Sequence, residues 1–147
     1  MISIDLSGKT ILITGALGAI AEHMVRRLAA SGATLALTDI KAEDRAQRTL
    51  ADWEIPSSSY VYFAADITDS IQVSALVKAA FEKFPGMDTV IGHAGGCGLH
   101  PFANTSEAEY EKIFRFNFFR KLTWRVRCWR NGWRAPLPVI SSSHPPM

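Results

Sequence analysis

Through the first 117 positions, short apolar runs alternate with longer segments in which apolar residues recur at helical spacing. Residues 9–14 form a run of buried-strand length, and residues 19–31 carry the 3.6-residue period and stop at Gly32. The alternation then repeats. It predicts strands at 34–39, 60–65 and 88–94, with helices at 43–53 and 69–84 between them. Ile55-Pro56 and Pro85-Gly86 supply the breaks. Asp69-x-x-Gln72 and Ser106-x-x-Glu109 read as capping boxes, the second opening a helix through Tyr110, Ile113, Phe114 and Asn117. Continuous apolar strands separated by amphipathic helices describe an α/β protein whose parallel sheet is covered on both faces. Right-handed crossovers order the strands 3-2-1-4. Residues 137–141 are a candidate fifth strand, although Pro138 fits poorly inside a central strand.

The junction of first strand and first helix, Thr14-Gly15-Ala16-Leu17-Gly18-Ala19-Ile20-Ala21, is made almost entirely of small residues. A sharp turn there lets a ligand's phosphates approach the backbone, and the helix beyond it offers unpaired N–H groups and a positive dipole end. Asp39 closes the second strand 24 residues after Gly15, close to the spacing of roughly 20 at which a carboxylate meets a ribose hydroxyl. The alternative role for Asp39 is a loop acid or the N-cap of the next helix. Strand, turn, helix, strand and acid in this order predict a Rossmann-like, doubly wound sheet that binds a dinucleotide at Gly15 and Gly18.

Leu6-Ser7-Gly8-Lys9-Thr10-Ile11-Leu12-Ile13-Thr14-Gly15 resembles the N-terminal strand of the short-chain dehydrogenase/reductase family. That family's turn has the form T-G-x-x-x-G-x-G. Here its later glycines fall on Ala19 and Ala21, with Gly18 added. Asp66-Ile67 matches the family's adenine-contacting pair, and Gly92-His93-Ala94-Gly95 its N-N-A-G strand end, with both asparagines replaced. The resemblance implies cofactor contacts from Gly15, Gly18, Ile20, Asp39, Asp66, Ile67, Ala94 and Gly95. It implies catalytic roles for Asn117 and for Ser142, which ends an Ile-Ser-Ser in the candidate fifth strand. The implied reaction is oxidoreduction of an alcohol or carbonyl. NAD is preferred to NADP, since Asp39 repels a 2′-phosphate and no Arg stands at Gly18 or beside Asp39. Two positions keep a plain reading beside the family one. Asp66 reads equally as a strand-end cap, and Asn117 as a polar bond to a backbone carbonyl. His93 is expected to be a hydrogen-bonded structural residue supporting the turn.

The family's acid–base pair is a Tyr followed four residues later by a Lys, whose ammonium lowers the phenol's pKa from about 10. None of the three tyrosines, Tyr60, Tyr62 and Tyr110, has that lysine. The expectation is a chain without turnover, either a shortened or frame-disrupted dehydrogenase or a non-catalytic NAD-binding module.

Charge sharpens the division at residue 118. Residues 1–117 hold 10 basic and 14 acidic groups; residues 118–147 hold six basic groups, no acidic one and three of the four tryptophans. The domains are therefore expected to be a dinucleotide-binding unit at 1–117 and an atypical Trp/Arg/Pro-rich tail at 118–147. The tail's arginines form no clean helical face and Gly132, Pro136 and Pro138 interrupt it, which argues against a nucleic-acid arm. Self-association through exposed apolar surface is expected instead. No apolar stretch approaches membrane-spanning length, and no signal-peptide pattern opens the chain. Cys97 and Cys128 read as inert thiols of a cytoplasmic protein, and no metal site is expected.

Overall fold

The computed structural model of the chain describes residues 4–96 and 102–119. Strands β1 (Thr10–Thr14), β2 (Thr34–Asp39), β3 (Tyr60–Ala64) and β4 (Thr89–Gly92) form one parallel sheet in the order β3-β2-β1-β4. Helices α1 (Ala19–Ala30), α2 (Glu43–Asp52) and α3 (Ser70–Lys83) are the crossovers, and α4 (Glu107–Phe114) follows β4. The expected α/β class and strand order are those found. The candidate fifth strand at 137–141, Ser142 and nearly all of the tail lie outside the described residues.

Alternation along the two central strands decides which helix covers which face. Ile11, Ile13, Leu35 and Leu37 share one face with Val25 of α1 and with Ala46 and Leu50 of α2. Leu12 and Ala36 share the other with Val73, Leu76, Val77 and Ala80 of α3. Burying each Leu or Ile side chain contributes about 1.5–3 kcal/mol, so these two clusters hold the sheet. They also hold fixed the ends of β1 and β2, where the site is built.

Local chemistry departs from expectation at three helix or strand ends. Asp69 caps α3 by accepting from the backbone N–H of Ile71 and Gln72. Gln72 does not return to the backbone of Asp69 as a capping box requires; its Oε1 accepts from the Asp66 N–H at 3.0 Å. Strand β4 is shorter than 88–94, because the His93 N–H turns back to the Ile91 carbonyl and the Ala94 N–H goes to Thr14 Oγ1. The last helix does carry a complete capping box between Ser106 and Glu109, but it widens into a π-turn at Arg115–Phe119.

Candidate functional site

The site is built chiefly at the C-terminal ends of the strands, with the π-turn after α4 closing one side. Chain direction leaves β1 at Gly15, whose φ of +65° belongs to the left-handed region that glycine tolerates. A Cβ at this position would stand 2.6 Å from the Ala94 Cα, closer than atoms approach, so the loop after β1 lies directly on the end of β4. The Ala16 N–H then bonds the Thr38 carbonyl at 3.1 Å, and the Leu17 N–H bonds Asp39 Oδ2 at 3.1 Å. Gly18 caps α1 without any side-chain acceptor, and the first intrahelical bond runs from Glu22 to its carbonyl. The N–H groups of Ala19, Ile20 and Ala21 are thereby left for an external acceptor.

Around this loop lies a crevice of about 330 Å³. It brings together seven of the eight residues expected to bind a cofactor: Gly15, Gly18, Asp39, Asp66, Ile67, Ala94 and Gly95. Ile20 is exposed and does not line it, although its backbone N–H belongs to the open first turn of α1. Sequence reasoning missed Ile40, Ala65, Thr68 and Phe116 as lining residues. Ile40 directly follows Asp39 and Thr68 stands two positions after Asp66, a placement that could have flagged them. Phe116 gave no such signal, since the π-turn aims it.

Both acids of the crevice have half-committed carboxylates. Asp39 Oδ2 accepts from Leu17 and Oδ1 from the Lys41 N–H at 3.4 Å, which leaves a lone pair on each oxygen for a hydroxyl donor. Lys41, which the motif reading overlooked, sends its ammonium to the Leu17 carbonyl at 3.1 Å. Asp66 uses Oδ1 for the N–H and hydroxyl of Thr68, both at 2.7 Å, while Oδ2 makes no bond among the described residues. It is at once a turn-closing acid and an acceptor open to a ligand. Tyr62 donates its hydroxyl to the carbonyls of Lys41 and Asp39. Burial, and then the Asp39 charge, push this phenol well above its usual range, so it holds its proton as a strut beneath the loop.

Asn117 does more than bond a single carbonyl. Its Nδ2 donates to the carbonyls of Gly96 and Ile113 at 2.6 and 2.9 Å, and its Oδ1 accepts from the Gly96 N–H at 3.1 Å. A side chain reaching the carbonyl four residues back while holding a neighbouring chain is the kind of insertion that widens a helix into a π-turn. The His93 imidazole lines the crevice and makes no hydrogen bond among the described residues, while its backbone N–H bonds the Ile91 carbonyl in the turn. His100 and Cys97 lie outside those residues, and among the described ones no group of three or more His, Cys, Asp or Glu could hold a metal ion. No described helix is long and apolar enough to cross a membrane.

Comparison with known proteins agrees with this geometry. A family model described as short chain dehydrogenase matches residues 9–125. Oxidoreductase UcpA of Escherichia coli (strain K12) is 37% identical over 123 residues, which are 82% of this chain and 44% of that protein. Galactitol 2-dehydrogenase of Agrobacterium fabrum is 34% identical over 113 residues, 76% of this chain and 42% of its own length. Among solved structures, a glucose/ribitol dehydrogenase-type short-chain dehydrogenase/reductase from Brucella melitensis superposes with a TM-score of 0.76 at 25% identity, covering 88% of this chain and 54% of that one. A dehydrogenase/reductase from Sinorhizobium meliloti 1021 gives 0.74 at 29% identity, covering 87% and 51%. The chain thus spans less than half the length of these sequence relatives.

Proposed function

The chain belongs to the short-chain dehydrogenase family, and from that premise we propose that its crevice holds a nicotinamide dinucleotide, NAD in preference to NADP, for oxidoreduction of an alcohol or carbonyl. The observation that carries this reading is the close seat of Gly15 on Ala94 beside Asp39. That arrangement keeps side chains out of the path of a diphosphate and puts an acceptor at the ribose position. The residues present fit the group. Open N–H groups at the start of α1, including that of Ile20, suit the diphosphate. The free lone pairs of Asp39 suit ribose hydroxyls, and the unused Oδ2 of Asp66, flanked by Ile67, suits the adenine amine. Ala94 and Gly95 form the floor.

The bound dinucleotide supplies the hydride chemistry. Asn117 acts as a positioning residue, holding Gly96 and the π-turn beside the reacting end, and Ser142 orients the substrate. Residues 1–117 are the dinucleotide-binding unit, and residues 118–147 form a separate tail that favours self-association. A second reading, a dinucleotide-binding module that acts without turnover, is favoured by one observation. No tyrosine in these 147 residues is followed four positions on by lysine, and Tyr62 is bound to carbonyls. These 147 residues, assayed as they stand, are expected to turn over no alcohol or carbonyl at saturating NAD(H).

Calorimetric titration with NAD⁺ and NADP⁺ tests the binding reading. NAD⁺ is expected to bind about tenfold more tightly, a difference of ~1.4 kcal/mol that one adverse charge contact supplies. Asp39→Asn should narrow that gap while the protein stays folded, and Gly15→Val should abolish binding of both. Equal affinities for the two cofactors remove Asp39 from the ribose site.

A further inference from the structure

We propose that His93 binds the diphosphate of the dinucleotide and tightens that binding as pH falls; the inference rests on the dinucleotide reading above. The fold aims the residue. After Gly92 the His93 N–H bonds back to the Ile91 carbonyl at 3.0 Å, which ends the β4 ladder and turns residue 93 over the crevice. The half-buried imidazole lines that crevice, and its Nε2 stands 4.0 Å from where a Cβ on Gly18 would lie. Gly18 is the N-cap of α1, so the ring faces the end of the helix that attracts an anion. Among the described residues the ring has no hydrogen-bond partner and no ion pair.

The charged neighbours decide which part of the ligand the ring serves. Asp39 faces the crevice from the end of β2 and Asp66 from the end of β3, and both are acceptors suited to hydroxyls and amines. From α1, Glu22 in the first turn is paired with Arg26 at 3.1 Å. Phe116 contributes an uncharged wall after α4, and Lys41, whose ammonium donates to the Leu17 carbonyl, does not line the crevice. The Thr68 hydroxyl is taken by Asp66. Thus the imidazole is the one side chain lining the crevice, among the described residues, that offers a free N–H, and imidazole is the side-chain type that can take up a second proton within the physiological range. An anion beside Gly18 is the ligand group that uses both properties.

The test is calorimetric binding of ADP-ribose, a diphosphate diester that does not titrate between pH 5.5 and 8.5, to the full chain and to H93N and H93K. For the unmodified chain the dissociation constant should fall about tenfold from pH 8.5 to 5.5. H93N should match it at pH 8.5 and change less than about twofold across the range. H93K, which is charged throughout, should bind tightly at every pH. An H93N profile parallel to that of the unmodified chain, or a flat profile for the unmodified chain, overturns the role of His93 alone. If no form binds ADP-ribose at any pH while circular dichroism shows all three folded, the dinucleotide reading falls as well.

Discussion

The centre of the sheet and the segment from β4 to α4 make opposite use of similar residues. Leu12, Ile13, Leu35 and Leu37 on β1 and β2 are fully buried. On β4, Val90 and Ile91 are only half covered, and α4 has no buried residue. The loop after β1 therefore rests on packed hydrocarbon, whereas Asn117 is tied to the segment after β4 by hydrogen bonds to Gly96. Burial far outweighs one hydrogen bond, which nets about 1 kcal/mol. The two ends of the candidate site consequently have unequal mechanical support, a stiff end at Gly15 and a softer end at Asn117.

The largest effect that tests this contrast comes from paired truncations. Leu37→Ala should cost about 2–5 kcal/mol in urea denaturation, whereas Phe114→Ala, at a side chain 63% exposed, should stay within about 0.5 kcal/mol. Comparable losses would show that α4 is as firmly docked as the sheet. Removing the cap with Ser106→Ala should cost about 1 kcal/mol of helix stability. In amide hydrogen exchange the loss should stay local, with protection falling at Glu109 and Tyr110 and holding at Leu37. Loss of protection at both would join the two regions into one cooperative unit.

A third change strengthens the packed half. The Thr38 hydroxyl is fully buried and has no hydrogen-bond partner among the described residues. Thr38→Val should therefore raise stability by about 1 kcal/mol, read as a higher denaturation midpoint. The smallest effect concerns the join between the halves. Lys9 donates to Asp88 Oδ1 and the Thr10 N–H to Oδ2, both at 2.8 Å, and the bond to Lys9 foremost holds this carboxyl below its usual range. A depressed carboxylate contributes stability above its unfolded pKa of about 4 and loses it as pH falls further. Asp88→Asn should flatten the decline in denaturation midpoint between pH 5 and 2; an unchanged slope would show that Asp88 does not join β4 to β1.

Much of this was legible one element at a time. Alternating periods marked all four strands, and handedness ordered them, because each βαβ unit is a local problem with one favoured solution. Gly15 and Asp39 were legible because the turn and the strand tip demand particular residue types. What escaped were partners chosen at a distance. Gln72 looked like half of a capping box and holds Asp66 instead. His93 looked like a structural residue, and its ring lines the crevice with no hydrogen bond among the described residues. The π-turn at Asn117 follows from its bonds to Gly96, 21 positions earlier in the chain.

By itself, then, the sequence determined the α/β class, the strand order and the glycine turn, since these follow from periodicity, chirality and backbone sterics among near neighbours. Tertiary structure alone decided that the ends of β1, β2, β3 and β4 converge on one crevice and that His93 faces Gly18 across it. Those relations are distances between residues remote in sequence, and only the packing of the sheet against its helices sets them.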